Sequence, residues 1–251
     1  MLLKKRTNLK NIILLLLLVN FSFANNDFME DFDSEFSDKT GEIFDPLSGY
    51  NRAMTTFNDK LIINVLVPVS KSYAYVVPQT ARTGIDNFFE NLRFPIRFVN
   101  NLLQLKFENS AEELGRFLVN TLWGLGGFMD PATKELNMKA HKEDFGQTLG
   151  FYGVGEGFHV VLPFLGPSNL RDIAGLAADS YVNPLTVTGD NDLKYKIPNT
   201  LLEQVGIQTF DVINSTSLTL GQYESLRKDA LDLYPFLRDI YTQARKKQIE
   251  E

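Results

Sequence analysis

Three places in the chain bring together side chains that could make or break bonds. His141, Glu143 and Asp144 fall within four residues, a density that suggests a metal site. His159, Ser168 and Asp172 supply the residue types of a hydrolase triad, and Gly153, Gly155 and Gly157 form a G-x-G-x-G run of the sort that cradles phosphate. Each lacks the feature its chemistry requires. The run from His141 has no second histidine to complete a zinc helix, and no G-x-S-x-G elbow presents a nucleophile. The glycine spacing misses the dinucleotide fingerprint, and no glycine in the chain is followed by lysine, which excludes a phosphate-binding P-loop. Both histidines are therefore expected in structural or surface roles, Arg171 and Asp172 as a structural ion pair, and the glycines as points where loops pack closely. No cofactor, metal or catalytic residue is expected.

Without bond chemistry, the stretch from Asp144 to Asp172 reads as a surface or passage. Six glycines in 29 residues permit sharp turns, and the phenylalanines and leucines between them supply apolar area rather than reactive groups. That is the character of a lipid handler.

The first 24 residues have the form of an export signal, with Lys4, Lys5, Arg6 and Lys10 ahead of an apolar run from Ile12 to Val19 and a small-x-small site at Ser22-Phe23-Ala24. Without them, 21 basic residues face 31 acidic ones, a formal charge of −10 that makes nucleic acid and anionic headgroups poor general partners. The chain has no cysteine, so disulfides, thiolate metal sites and a cysteine-linked lipid anchor are not expected. Residues 25–44 form an acidic leader carrying Phe28, Phe32 and Phe36 at helical spacing. It reads either as a mobile segment or as an aromatic tether. Residues 45–248 are expected to form a single domain.

The pattern of that domain is helical, punctuated by proline and glycine. Helices are predicted over Asn51–Val67, ending at Pro68; over Gln79–Leu92; and from the first turn at Pro95, with Asn100, Asn101 and Gln104 interleaved among Ile96, Val99, Leu102 and Leu103. A capping box at Ser110 and Glu113 opens a helix that stops at Gly124. Ser168-Asn169 can cap a helix ending before Asn183-Pro184, a further helix begins near Leu201, and Pro235 should kink or split a periodic tail from Gly221 to Gln248. No alternation is long enough to commit to a sheet, so the fold class is all-α. A helical stripe packs equally well on a protein core or on acyl chains, and periodicity does not distinguish the two. Twenty phenylalanines and several amphipathic segments separated by short breaks favour helices lying flat in a membrane interface.

Five blocks stand out along the chain: DPLSGYNRAMTTFND from Asp45, VVPQTARTGIDNFFENLRFP from Val76, LGRFLVNTLWGLGGFMDPA from Leu114, DFGQTLGFYGVGEG from Asp144 and LPFLGPSNLRD from Leu162. In this order they resemble the MlaA/VacJ family of outer-membrane phospholipid-retrieval proteins. YPFLRDIYTQARKK, from Tyr234, is similar to the family's closing helix, so the likeness runs from about residue 45 to 247.

The resemblance implies a ring of amphipathic helices in the inner leaflet of the outer membrane around a polar channel, associated with trimeric porins. It implies that misplaced phospholipid leaves the outer leaflet through this channel for a soluble, MlaC-like periplasmic carrier. It also implies a non-enzymatic role on the periplasmic side of the outer membrane. Gly124, Gly126, Gly127, Phe128 and Asp130 would form a hairpin near the channel, or else a plain interhelical loop, and Phe57-Asn58 is a second position expected to control the passage. The family's usual lipobox cysteine has no counterpart here, so an unacylated mature start at Asn25 is expected. The alternative function is a periplasmic adhesion or surface-spreading factor acting indirectly through the envelope; a phospholipase ranks third.

Overall fold

The structure, a computed structural model, describes residues 45–188 and 195–251. The expected signal and leader lie outside the described residues. The fold is mostly helical, as expected, with one short β-hairpin that the helical reading did not contain.

Helix α1 (Ser48–Leu61) does not stop at Pro68. A π-helical turn at Ile62–Leu66 joins it to α2 (Val67–Val76). In that widened turn Val67 donates to the carbonyl of Ile62, five residues back, and Pro68 follows immediately, where its missing N–H is tolerated. Val77 is extended, as the residue before Pro78 must be, and the chain turns by 119° into α3 (Gln79–Leu92). No single described helix is long and apolar enough to cross a membrane, although this bent pair passes by length and composition.

Helices α4 (Phe94–Leu103) and α5 (Phe107–Leu122) pack as a hairpin, followed by a short α6 (Pro131–Lys134) and α7 (Phe145–Phe151). The predicted capping box at Ser110 is displaced. Helix α5 already begins at Phe107, and Ser110 is buried inside it, donating to the carbonyl of Phe98 at 3.1 Å. The capping box of the fold is Asp144 with Gln147, at the start of α7. Strands β1 (His159–Leu162) and β2 (Gly166–Asn169) pair antiparallel and lead into α8 (Leu170–Val182), which Asn169 caps as expected. Helix α9 (Leu201–Leu218) packs on α2 and α3. The tail divides into α10 (Gln222–Asp229) and α11 (Leu233–Glu250), and the break precedes Pro235, which sits in the first turn of α11.

The helices meet through polar side chains. Among the described residues, 30 polar or charged side chains are buried against nine apolar ones, which inverts the usual interior. On α5 the buried row is Ser110, Glu113, Arg116 and Asn120; on α9 it is Gln204, Gln208, Asp211, Asn214 and Ser217. On α4 the stripes are reversed relative to an ordinary globule: Asn100 and Asn101 are buried, while Leu102 and Leu103 face outward. Burying such groups is affordable only if they bond one another. They largely do: Arg97 Nε bonds Glu113 Oε2 at 2.7 Å, Arg93 pairs with Asp211, Asn100 Nδ2 donates to Asp179 Oδ1 at 2.8 Å and Arg82 Nη1 donates to Ser217 Oγ at 3.0 Å. Burial nevertheless pushes the Asp179 and Asp211 carboxyls up to about 6.

Candidate functional site

The residues expected at a passage fall on two separate supports. Asn58, on α1, reaches the turn of the β-hairpin: its Nδ2 donates to the Leu162 carbonyl at 2.9 Å and its Oδ1 accepts from the Phe164 amide at 2.7 Å. Two helical turns earlier, Asn51 does the same to β1, donating to the His159 carbonyl at 3.1 Å and accepting from the Val161 amide at 2.8 Å. Two side-chain amides thus stand where a third strand would be, satisfying the free edge of β1. Phe57 packs its ring edge against Phe164, centroids 5.0 Å apart, and Phe164 itself has φ of 67°, a conformation held by these contacts. Replacing Asn51 with alanine strands two buried backbone groups, each costing about 1–3 kcal/mol. The expected result is a lower thermal midpoint by circular dichroism, with Asn58→Ala acting in the same direction.

The segment from Gly124 to Asp130 docks elsewhere, on α3. Phe128 stacks on Phe88 at 4.9 Å, and its carbonyl accepts from Asn87 Nδ2 at 3.2 Å. Gly127, at φ 101°, lies so near Asn91 that a Cβ would come within 2.7 Å of that side chain. Gly126 has φ of 73° and donates to the Thr121 carbonyl at 3.0 Å. Asp130 closes the segment as the cap of α6, accepting from Thr133 N at 3.1 Å and Asn120 Nδ2 at 2.9 Å. Although burial opposes it, those hydrogen bonds hold its carboxyl below the ordinary value. The result is a fixed loop with an apolar tip, since Trp123, Leu125 and Met129 are all exposed. Proline at Gly126 cannot adopt φ 73° and has no N–H for Thr121. Gly126→Pro should therefore destabilise the fold by about 3 kcal/mol, while Gly126→Ala, which meets open space, should cost about 1 kcal/mol in a melting comparison.

The groups first suspected of bond chemistry have other tasks. His141 Nε2 is 2.7 Å from Glu112 Oε2, and its amide donates to Glu113. His159 is buried between the rings of Tyr234 and Tyr241, its Nε2 without a hydrogen-bond partner; burial, then the nearby Arg238 charge, pushes its pKa down to about 4. Asp172 holds Arg171 and Arg245 in ion pairs. Of the three glycines, Gly157 alone packs closely, with Leu170 3.1 Å from where its Cβ would be; Gly153 and Gly155 face open space, contrary to the close packing expected of them. Sequence reasoning missed Asn51 and the buried rows of α5 and α9. For the two rows the signal was polar residues recurring at helical spacing on a helix whose other positions are apolar.

Outward, the same helices present Leu114, Leu118 and Leu122 on α5, Leu102 and Leu103 on α4, and Phe210 on α9. Polar side chains turned toward one another beneath exposed apolar faces define the class: a mostly helical protein whose interior and surface polarities are inverted. The sequence profile of the family described as MlaA lipoprotein matches residues 43–248, and the chain belongs to that family. It is 36% identical over 203 residues to the Escherichia coli protein named intermembrane phospholipid transport system lipoprotein MlaA, covering 79% of this chain and 76% of that one. The Haemophilus influenzae protein of the same name is 32% identical over the same shares. An uncharacterized protein of Rickettsia typhi is 29% identical across 95% of this chain and 94% of its own length. A solved structure described as the structural basis for maintenance of bacterial outer membrane lipid asymmetry matches with TM-score 0.68 and 32% identity, covering 82% of this chain and 100% of that one.

Proposed function

We propose that the chain moves phospholipid out of the outer membrane, taking misplaced molecules from the outer leaflet and passing them to a soluble periplasmic carrier. The observation that carries this reading is the inverted polarity: polar groups satisfy one another inside while leucines and phenylalanines face outward, so the outer surface suits acyl chains. The names of the relatives, which are phospholipid transport proteins, point the same way. In this reading the helices lie in the periplasmic leaflet as a ring around a polar channel, beside a trimeric porin, and the outward leucines hold the protein there. The protein acts by passage rather than by making or breaking bonds. The segment from Gly124 to Asp130 and the Phe57-Asn58 support border the route.

The experiment is complementation of a strain deleted for its own gene of this family, with outer-leaflet phospholipid read by an impermeant amine-reactive dye on intact cells. Wild-type protein should return labelling to the undeleted level. Deletion of Phe57-Asn58 should leave lipid distribution disturbed. Wild-type protein fully expressed in the membrane fraction with labelling still at the deletion level would overturn the reading.

A further inference from the structure

Between α1 and the joint of α10 with α11 lies a cleft of about 410 Å³, within the range of small-ligand sites. Two ion pairs cross it. Arg52 Nη1 is 2.5 Å from Asp232 Oδ2, and two turns along α1 Arg227 Nε is 2.7 Å from Asp59 Oδ1. The charges alternate: α1 presents a cation and then an anion, and the opposite wall presents the reverse. The lining therefore sums to zero, in a chain whose formal charge is −6.

These pairs differ from those that hold the fold together. The Arg52, Asp232 and Arg227 side chains are about half exposed and Asp59 keeps 12% of its own, whereas both members of the Arg245–Asp172 pair are buried, at 11% and 6%. An exposed pair such as Arg52–Asp232 contributes about 0–1 kcal/mol, so opening it costs little, and Asp59 keeps its Tyr223 hydrogen bond when Arg227 swings away. Arg227 uses its Nε alone, leaving both Nη groups of a fork whose geometry matches phosphate. Asp59 receives Tyr223 and Arg227 on Oδ1, leaving Oδ2. Leu231, fully exposed at the rim, offers apolar surface beside the charges.

We propose that this cleft binds a zwitterionic amino-phosphate headgroup, with its phosphate on the Arg52 and Arg227 guanidinium groups and its ammonium on the Asp59 and Asp232 carboxylates. A ligand carrying both charges leaves the sum of the lining at zero, its phosphate shared by the two arginines and its ammonium by the two aspartates. A headgroup with a phosphate but no amine gains the arginines and leaves the aspartates unpaired. The inference rests on the reading of the chain as a phospholipid carrier and names the headgroup that carrier selects.

The test uses the full chain in neutral-detergent micelles doped with phosphatidylethanolamine or with phosphatidylglycerol of the same acyl chains, and counts retained lipid by native mass spectrometry. Wild type should retain the ethanolamine lipid about tenfold better, and Arg227→Gln should lose about tenfold of that retention. Asp59→Asn should erase the preference between the two lipids. Arg52→Gln provides a second exposed variant should Arg227→Gln melt early. Equal retention of both lipids by wild type, or unchanged retention by both glutamine variants, would overturn the proposal. Free glycerophosphoethanolamine separates the sources: the lipid is the ligand if it alone is held, and that assignment fails if the soluble compound binds and the lipid does not. A wild type that restores lipid asymmetry in cells while retaining both lipids equally defeats the headgroup site and leaves transport standing. A wild type that restores nothing defeats the reading beneath it.

Discussion

Truncating Arg245 to alanine should lower the free energy of unfolding by about 3 kcal/mol, the low end for breaking a buried ion pair, because Asp172 keeps Arg171 as a second partner. Arg245, on α11, is a three-way clamp: its Nε bonds Asp172 at 2.9 Å, and its two Nη groups bond both oxygens of Asp144 at 2.8 and 2.9 Å. Asp144 caps α7 and Asp172 lies in the first turn of α8, so one guanidinium ties three helices together. The fork is packed to the limit of its space. A Cβ on Gly146 would lie 2.4 Å from Asp172 Oδ1 and 2.7 Å from Arg245 Nη2, which is why glycine occupies that position.

The same clamp sets a pH dependence. Burial alone would raise the Asp172 carboxyl, but the hydrogen bond and charge of Arg245 hold it below the ordinary value. A carboxyl depressed in the folded state contributes stability that is present above its unfolded pKa of about 3.9 and is lost as pH falls through the folded value. Wild type and Arg245→Ala should therefore differ most near neutrality and converge in acid. Melts by circular dichroism across that range check both statements, and a difference below about 1 kcal/mol at pH 7 would show that the clamp is no stronger than a surface pair.

The second large effect concerns the outer faces. Changing Leu114, Leu118 and Leu122 together to aspartate should move the protein from the membrane fraction to the soluble one without loss of helix content. Fully burying a leucine contributes about 1.5–3 kcal/mol, so the exposed parts of the three together contribute about 2–5 kcal/mol, comparable with the roughly 4 kcal/mol that separates millimolar from molar affinity, and each aspartate adds the cost of a charge against acyl chains. The three are 39%, 47% and 69% exposed and none belongs to the buried row of α5, so the fold should survive. Glu108→Gln, on an exposed position of the same helix, is the control and should fractionate as wild type. Loss of helix content instead of release would mean that these leucines are core.

How far the sequence carried the fold depends on what kind of signal each residue gave. The bounds of α3, the start of α9 at Leu201 and the Asn169 cap were legible because proline, threonine and asparagine act within one turn of backbone. Pro68 and the Ser110-Glu113 pair misled because the same local pattern has a second solution. A π turn accepts the proline, and a serine and glutamate inside a helix can face a neighbouring helix instead of capping their own. The β-hairpin was invisible because its four-residue strands are held partly by Asn51 and Asn58, more than 100 residues away in sequence. The hydrophobic stripe of α4 was read correctly as a stripe, but periodicity has no sign. Only the position of Asn100 and Asn101 against Asp179 and His141 gives it one. For the candidate site, Asn58 was singled out from the family likeness; its role as a strand surrogate needed the coordinates.

The most direct measurement of that sign is spin-label accessibility in a lipid bilayer. The chain has no cysteine, so Leu114→Cys, Leu118→Cys and Leu122→Cys each give one labelling site without background. In reconstituted full-length protein, labels at these positions should collide freely with dissolved oxygen, which concentrates among acyl chains, and weakly with a water-soluble nickel chelate. A label at Glu108 should do the reverse. Nickel access at all four positions would mean that the exposed leucines face water, and the account of a polar interior inside an apolar shell would be contradicted.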